Sequence, residues 1–365
     1  MTRHAYRLLA AFCAVLTTAL LASCGGGDSK TPAGTTPGAT TPAVSKPPGT
    51  SGEGSLIISK PQGIVEFDIK SGSEKPLITP TEASTFILDP AVSPDGNRLA
   101  YIVQPPPVVE GNKYDAGSDL WVADRDGTNQ RVVFTHVQPN QLIRFPQWEN
   151  NEHILAIVQE IATTSGITSV VYTLERIDAA TGERTNVLEN VLAFALSPDG
   201  TQLVYAKLAP QSGETLESQA PGGGNAKTLV PIAQNLNPFN SPRFSPDGAT
   251  IAFASADQTG ARGAPSVRFV SLRRNAPGDA WTVHPAAATL LDGLPEDIWT
   301  VDAAGGAPPV RLADLKEDLP ALTWSGDGKH IFVIGSAGLY DVNIKSGAID
   351  RIGEGAFHGQ LAWAP

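Results

Sequence analysis

Short apolar segments alternate with polar residues along the chain after residue 54, and turn-forming residues separate them. The clearest case is AVSPDGNRLAYIV, in which Ser-Pro-Asp-Gly occupies residues 93–96 between two apolar segments. Proline presets φ for the first central position of a turn, and Asp and Gly suit the positions that follow. The pattern therefore predicts a β-hairpin.

The same hairpin returns later in the chain. Ser-Pro-Asp-Gly recurs at residues 197–200 and 245–248, and the weaker Ser-Gly-Asp-Gly stands at residues 325–328. A second pair of short strands around a turn follows each hairpin, as in DLWVADRDGTNQRVV at residues 119–133. One unit is therefore four antiparallel strands, a to d, which is typical of a propeller blade.

Five complete units can be counted, the second with Asn150 and Asn151 in place of the Pro-Asp pair; they span residues 86–136, 143–190, 191–233, 239–315 and 319–354. Residues 55–79 supply strands b, c and d of a further unit, and residues 357–365 supply its strand a. We therefore predict an all-β fold: a six-bladed β-propeller of four-stranded antiparallel blades over residues 55–365. The C-terminal strand closes the ring by joining the N-terminal blade, which removes exposed sheet edges.

The repeat of Ser-Pro-Asp-Gly, apolar alternation and (Leu/Ile)-Trp-x-x-Asp resembles the TolB-like propeller repeat, a WD40-like repeat also called PD40. This repeat occurs in the periplasmic protein TolB and in the propeller domains of prolyl-oligopeptidase-like enzymes. The resemblance covers nearly all of residues 55–365. It implies the fold strongly and the function weakly. Resemblance to TolB implies an envelope protein that binds other envelope proteins through its propeller.

Residues 1–23 have the pattern of a signal peptide, with Arg3 and Arg7 before an apolar core from Leu8 to Ala22. The sequence Leu-Ala-Ser-Cys at residues 21–24 resembles the bacterial lipobox. That resemblance implies cleavage before Cys24 and lipidation of Cys24. Two alternatives are an ordinary secretory signal that happens to contain this cysteine, and a short membrane anchor.

Residues 24–54 begin with Cys24 and are otherwise almost entirely Gly, Ser, Thr, Pro and Ala. Such a segment has too little apolar surface to fold, so we predict a disordered, flexible linker. The two cysteines of the chain are Cys13 and Cys24. The processed chain is therefore expected to contain no disulfide and no cysteine metal site.

The formal net charge is −11, and removal of Arg3 and Arg7 with the signal would make the chain more acidic. No basic stripe is present, so we expect no nucleic-acid partner. The expected contact with a membrane is through lipid on Cys24, and we expect a monomer. The localisation that follows is extracytoplasmic, anchored to the outer membrane or to the outer face of the cytoplasmic membrane.

Long connections between strands b and c are expected at about residues 104–118, 159–168, 208–225 and 256–296, whereas those of the first and last blades are minimal. Long loops on one face of a rigid scaffold are the usual place for binding, although neutral loop growth is an alternative. Residues 266–272 could add a strand, and Trp281 could simply pack its loop onto the blade. The candidate partner-contacting residues are Tyr114, Asp115, Arg262, Arg268, Arg273, Arg274, Trp281 and His284.

No catalytic residue, cofactor or metal site is predicted. The sequence contains no Gly-x-Ser-x-Gly nucleophile elbow, and its six His residues show no metal-ligand spacing.

The function that these observations favour is a non-enzymatic scaffold that binds an envelope protein or peptide. One alternative is a small-ligand-binding or enzymatic propeller, of the lyase or lactonase type, that uses its central channel. A second is a glycan-binding sensor domain. Acidic or His residues at the channel mouth would favour the first alternative, and a narrow channel beside an apolar loop patch would favour the scaffold.

Overall fold

The computed structural model is a ring of antiparallel β-sheets. It describes residues 54–110, 113–164, 167–209, 213–259, 272–273, 282–283 and 295–364. Within this part of the chain, no helix is long and apolar enough to cross a membrane.

The strands follow one another along the chain, with the longest connection between Ser255 and Glu296. The first nine are β1 (Ser55–Lys60), β2 (Gly63–Asp68), β3 (Glu74–Ile78), β4 (Phe86–Val92), β5 (Arg98–Gln104), β6 (Val108–Glu110), β7 (Lys113–Asp115), β8 (Asp119–Asp124) and β9 (Arg131–Phe134). The next eight are β10 (Leu142–Trp148), β11 (His153–Thr164), β12 (Ile167–Asp178), β13 (Arg184–Glu189), β14 (Val191–Leu196), β15 (Leu203–Ala209), β16 (Gly213–Gln219) and β17 (Lys227–Val230). A short 3-10 helix, Ile232–Gln234, comes next. The remaining strands are β18 (Asn240–Phe244), β19 (Thr250–Ser255), β20 (Leu272–Arg273), β21 (Thr282–Val283), β22 (Glu296–Asp302), β23 (Val310–Glu317), β24 (Ala321–Trp324), β25 (His330–Ile334), β26 (Gly338–Asn343), β27 (Ile349–Glu354) and β28 (Leu361–Ala364).

Six four-stranded arrangements account for the blades, which confirms the predicted fold. In the order a to d they are β28-β1-β2-β3, β4-β5-β8-β9, β10-β11-β12-β13, β14-β15-β16-β17, β18-β19-β22-β23 and β24-β25-β26-β27, here called blades 1 to 6. Each strand a contacts strand a of both neighbouring blades. The six a strands therefore surround the axis of the ring, and the d strands lie outside.

The ring closes through the first and last strands of the chain, as the sequence predicted. β1 pairs with β28 in antiparallel register, with Leu56 opposite Trp363 and Ile58 opposite Leu361. Because β28 also contacts β4 and β24, it serves as the inner strand of blade 1. The two ends of the propeller are thereby held in one sheet.

Each Ser-Pro-Asp-Gly turn is held by the serine and aspartate side chains. In blade 2, Ser93 Oγ donates to Asp95 Oδ1 at 2.6 Å, and the backbone N–H of Arg98 donates to Ser93 Oγ at 2.9 Å. Gly96 has φ of 74°, the left-handed conformation that glycine adopts at little cost. The same bonds recur around Ser197, Ser245 and Ser325. The recurring aspartates therefore shape the turns.

Core packing runs between blades as well as within them. Trp148 and Trp324, at the ends of their a strands, are buried, and each indole N–H donates to a backbone carbonyl of the preceding blade: Ala91 at 3.2 Å and Arg243 at 3.1 Å. Alternating apolar residues of strands b and c fill the space between the sheets. Burial of this surface stabilises the ring.

Candidate functional site

The antiparallel order of the strands gives the propeller two unlike ends. The a–b and c–d turns lie at one end, called here the turn face, and the b–c and d–a connections lie at the other, called here the connection face. The predicted binding loops belong to the connection face.

Exposed large apolar side chains are concentrated on the connection face. Among the described residues, eight such side chains are more than a third exposed, and six of them lie on b–c or d–a connections: Val108, Val109, Val137, Ile161, Ile232 and Leu319. The other two, Val132 and Val310, lie on d strands at the outside of the ring. These side chains lie on connections of several blades, and exposed apolar residues that share one face are candidate anchors for an interaction site.

In blade 2 the b–c connection is a small hairpin, β6–β7, where the sequence predicted a loop. Val108 is 54% exposed and Val109 is 67% exposed. Val109 is opposite Tyr114, and Val108 is opposite Asp115, so both of these predicted contact residues lie on the second strand of the hairpin.

Asp115 fixes this hairpin to the connection that follows blade 2. Its Oδ1 accepts hydrogen bonds from the backbone N–H groups of Gly117 and Asn140, both at 3.0 Å. Its Oδ2 lies 3.3 Å from His136 Nε2, and His136 Nδ1 lies 2.6 Å from Asp119 Oδ1. Asp115 therefore holds the apolar hairpin in place.

The charges in this clamp shift its pKa values. Burial lowers the pKa of His136, but the hydrogen bond to Asp119 and the charges of Asp119 and Asp115 outweigh burial, so the pKa is raised overall. Burial raises the pKa of Asp115, but the backbone N–H groups of Asn140 and Gly117 and the neighbouring imidazole lower it overall. The two carboxylates therefore stabilise the protonated form of His136 relative to a free imidazole.

In blade 3 the predicted loop at residues 159–168 is largely strand. β11 and β12 stay paired from His153 opposite Asp178 to Thr164 opposite Ile167. The hairpin extends beyond the blade because β-branched residues favour strand along its whole length. It presents Ile161, which is 42% exposed.

In blade 4 the prediction of a long b–c loop at about residues 208–225 is wrong. β15 continues to Ala209, and β16 starts at Gly213, so only three residues separate the two strands. β16 has a single large apolar residue, Leu216, which is fully buried. The polar sequence of β16 hid its strand character.

In blade 5 part of the long connection adds to the sheet of blade 3. β20 pairs with β12, with Arg273 opposite Ile167, and β21 pairs with β20. Of the expected strand at residues 266–272, Leu272 is described, opposite Thr168. The remaining predicted contact residues lie outside the described residues, as does the predicted lipidation site: Arg262, Arg268, Arg274, Trp281, His284 and Cys24.

Side chains from opposite sides of the ring meet in the central channel. Asp89 of blade 2 accepts from the backbone N–H of Gln360 at 2.8 Å, and Gln360 Oε1 accepts from Arg243 of blade 5 at 2.7 Å. Ser241 Oγ also donates to Gln360 Oε1 at 2.7 Å. Blades 2 and 5 are opposite each other, so this network crosses the channel.

Backbone irregularities on the inner strands position these groups. The pairing register shifts next to Asp89, Phe145 and Ser241, and all three residues have positive φ. A β-bulge redirects a side chain out of the regular alternation. Burial lowers the pKa of Arg243 to about 10, although the charge of Asp89 opposes this shift.

A pair of glutamates lies at the connection-face end of the inner strand of blade 5. Glu214 Oε2 accepts from the backbone N–H of Phe239 at 3.0 Å, and Glu296 Oε1 accepts from Asn240 Nδ2 at 2.8 Å. Burial raises the pKa of Glu214 to about 7. Burial, with the nearby charges of Asp318 and Glu214, raises that of Glu296 to about 8, although the Asn240 bond opposes the rise.

The turn face carries a groove of about 450 Å³ between blades 5 and 6. Its acidic residues are Asp247 and Asp327, whose carboxylates accept hydrogen bonds within their own turns. The groove therefore offers few free polar groups to a ligand.

Sequence reasoning missed the channel network and the glutamate pair. The one available signal was an acidic Glu-Asp pair immediately before the apolar start of strand c at Ile298.

The sequence matches no protein-family model and no curated protein. Its fold is similar to the crystal structure of TolB from Acinetobacter baumannii, with 14% identity and a TM-score of 0.54 over 86% of this chain and 67% of that one. The crystal structure of a nidogen/laminin complex is also similar, with 10% identity and a TM-score of 0.54 over 84% of this chain and 98% of that one. The structure of a putative TolB from Agrobacterium tumefaciens has 14% identity and a TM-score of 0.48 over 86% of this chain and 99% of that one.

The fold class is thus a TolB-like six-bladed propeller, as the repeat predicted. At these identities the likeness concerns the fold alone.

Proposed function

We propose that this chain is a non-enzymatic scaffold of the bacterial cell envelope that binds a protein or peptide through its connection face. The observation that carries the proposal is the concentration of exposed apolar side chains on that face. Protein-binding surfaces combine such apolar anchors with a polar rim. The rigid ring holds the hairpins of blades 2 and 3 in fixed positions, which lowers the entropy lost on binding.

The occupied channel is a second support. Asp89, Gln360 and Arg243 form hydrogen bonds across the ring, which leaves little free passage at their level. A propeller that processes a small substrate in its channel needs open space there. The network therefore favours the scaffold over the channel enzyme.

We further propose that the protein is extracytoplasmic, and that lipid on Cys24 holds it at a membrane through the linker of residues 24–54. Stable anchoring needs more than one acyl chain, and lipobox processing supplies several. In a C24A variant, metabolic labelling with a radioactive fatty acid should be lost, and the protein should leave the membrane fraction. Equal labelling of C24A and wild type would overturn the anchor.

The binding proposal is tested by crosslinking in intact envelopes, followed by mass spectrometry of the captured proteins. Wild type is compared with V108S/V109S/V137S, which removes apolar groups from the connection face. The matched control is V132S/V310S, which removes exposed apolar groups from the d strands.

We expect one partner to be captured by wild type and by the control, and at least tenfold less by the connection-face variant. Loss of a few buried apolar contacts is enough for such a change. Equal capture by all three proteins would place the binding surface elsewhere.

The glutamate pair favours one alternative, a ligand-binding propeller with its site at the connection-face end of the channel. Under this alternative, a small ligand would stabilise the protein in the absence of any partner. Thermal unfolding with a small-molecule panel separates the two functions.

A further inference from the structure

The carboxyl group of Glu296 is buried and only half satisfied. The residue is 2% exposed, and its Oε1 accepts the hydrogen bond from Asn240. Its Oε2 is buried and has no hydrogen-bond partner among the described residues. A buried carboxylate oxygen without a donor is costly, and native structures rarely retain one without a reason.

A second buried acceptor lies close by in the chain. Asn237 Oδ1, three residues before Asn240, is also buried without a partner in the described part of the structure. Glu214 reaches the same connection from blade 4, through its hydrogen bond with the N–H of Phe239. Glu214 and Glu296 therefore accept hydrogen bonds from the adjacent residues Phe239 and Asn240, and in the described structure Glu296 Oε2 and, a few residues earlier in the same connection, Asn237 Oδ1 are buried acceptors without donors.

The charges around Glu296 are negative. The groups that act on it are Asn240, Asp318 and Glu214, and both acidic neighbours raise its pKa. On the side of blade 3, burial raises the pKa of Tyr172. The charge of Arg144 lowers this pKa and that of Glu214 raises it. Arg144 is exposed and lies over the ring of Phe145, 4.6 Å from its centroid. An added cation would therefore stabilise the ionised glutamates.

We propose that the Glu214–Glu296 pair binds an ammonium or guanidinium group, supplied by a Lys or Arg side chain of the partner. Both groups are donors without acceptors, so they match a site in which acceptors lack donors. The inference rests on the proposed function, because it names the group that the connection face recognises.

A metal ion fits these residues less well than an organic cation. Divalent cations with oxygen ligands need six or more of them, or a close set of carboxylates. In the described ranges, no three His, Cys, Asp or Glu side chains are grouped so as to hold a metal ion.

The surroundings suit a side chain with an aliphatic stem. Glu214 is partly exposed whereas Glu296 is 2% exposed, so a cation that approaches from the connection face would meet the Glu214 carboxylate first. Leu319 follows Asp318 directly and is 57% exposed, and Ile232 on the preceding connection is 40% exposed. Lys and Arg bury their methylene groups against such apolar residues while the charged end reaches a polar group.

The test uses small probes that need no partner. Binding of n-butylammonium and ethylguanidinium to the purified protein is measured by NMR and thermal unfolding at constant ionic strength. The neutral probe is n-pentanol, and calcium and manganese chlorides form the metal arm. We expect the two cations to bind, to bind more weakly as the pH falls through the pKa values of Glu296 (about 8) and Glu214 (about 7), and n-pentanol to have no effect.

E296Q keeps the shape of the side chain and removes its charge. We expect it to weaken butylammonium binding about tenfold or more, as for loss of a charge-assisted hydrogen bond. The matched control is E160Q, a partly exposed glutamate on the same face beside Arg184. Equal binding of n-pentanol and butylammonium, or stabilisation by the metals alone, would overturn the proposal. So would undiminished cation binding in E296Q.

The partner assignment is tested separately, by repeating the envelope crosslinking with E296Q. Reduced capture of the same protein supports a Lys or Arg of the partner as the ligand. If butylammonium binds but E296Q captures as much partner as wild type, the site serves a free amine, and the partner assignment fails. Loss of capture in V108S/V109S/V137S would still support the scaffold in that case, so the two proposals fail separately.

Discussion

Asp89 Oδ1 accepts a hydrogen bond of 2.8 Å from the backbone N–H of Gln360, a residue 271 positions later in the chain. Asp89 Oδ2 accepts a second bond of 3.1 Å from the N–H of Phe145. One side chain of blade 2 therefore ties the closing strand of blade 1 to the inner strand of blade 3. Strand pairing within a blade does not connect the inner strands of different blades, but the Asp89 side chain connects three of them.

Replacing this side chain should weaken ring closure. D89A would leave the N–H groups of Gln360 and Phe145 without their acceptor in a buried site, and each such loss costs about 1–3 kcal/mol. We expect the free energy of unfolding in urea to fall by roughly 2–6 kcal/mol.

The control for D89A is D314A, which removes an exposed ion pair of 3.4 Å with Lys316. Exposed pairs contribute about 0–1 kcal/mol, so D314A should be close to wild type. If D89A were as stable as D314A, the closure would depend on the pairing of β1 with β28 alone.

The serines of the repeated turns should contribute to the free energy of unfolding as well as to the shape of the turns. Ser197 is buried, donates to Asp199 at 2.6 Å, and accepts from the N–H of Gln202 at 2.9 Å. S197A should therefore lower the free energy of unfolding by about 1–3 kcal/mol. T201A, in the same turn but exposed, should lower it by less than about 0.5 kcal/mol. Equal effects of the two substitutions would contradict this assignment.

The fold could be predicted because its information is local and repeated. The three Ser-Pro-Asp-Gly turns and the Ser-Gly-Asp-Gly turn each lie within a few residues of the strands they join, and the four copies support one another. Where the pattern weakens, prediction fails: β16 has one large buried apolar residue, Leu216, so its sequence predicts a loop rather than the observed strand.

The site could be predicted only in part. The sequence indicated a binding face and placed Tyr114 and Asp115 on it, but it gave Asp115 a partner-binding role without its internal contacts to Gly117 and Asn140. The pairing of Asp89 with Gln360 depends on a β-bulge and on ring closure. Neither has a local signature, because each is fixed only when distant strands meet.

The His136 clamp should make stability depend on pH. The pKa of His136 is raised in the folded state, so its contribution is complete below the unfolded value of about 6.5. The contribution is lost as the pH rises through the folded-state pKa. H136N should therefore destabilise the protein more at pH 5.5 than at pH 8.5, measured by urea unfolding. A cost that is the same at both pH values would show that the imidazole acts by packing alone.

Ionisation of Glu296 should lower the stability of the folded protein as the pH rises, unlike that of an ordinary surface carboxyl. Its folded-state pKa is about 8, well above the usual 4.5. Between these values the folded state holds a proton that the unfolded state has lost, so stability falls as the pH rises. E296Q carries no such proton, and its advantage over wild type should grow from small at pH 5 to on the order of a few kcal/mol at pH 8. The matched control is E354Q, because the Glu354 side chain is 75% exposed.

Urea unfolding at pH 5, 6.5 and 8 measures this difference, and the E354Q curve should stay parallel to wild type. A constant difference between E296Q and wild type would mean that Glu296 is ionised throughout and already has a partner. Addition of n-butylammonium at pH 8 should distinguish a Glu296 whose Oε2 lacks a partner from one that already has a partner. If the unpartnered oxygen receives the cation, wild type gains stability and E296Q does not, because only the ionised carboxylate can supply the missing charge.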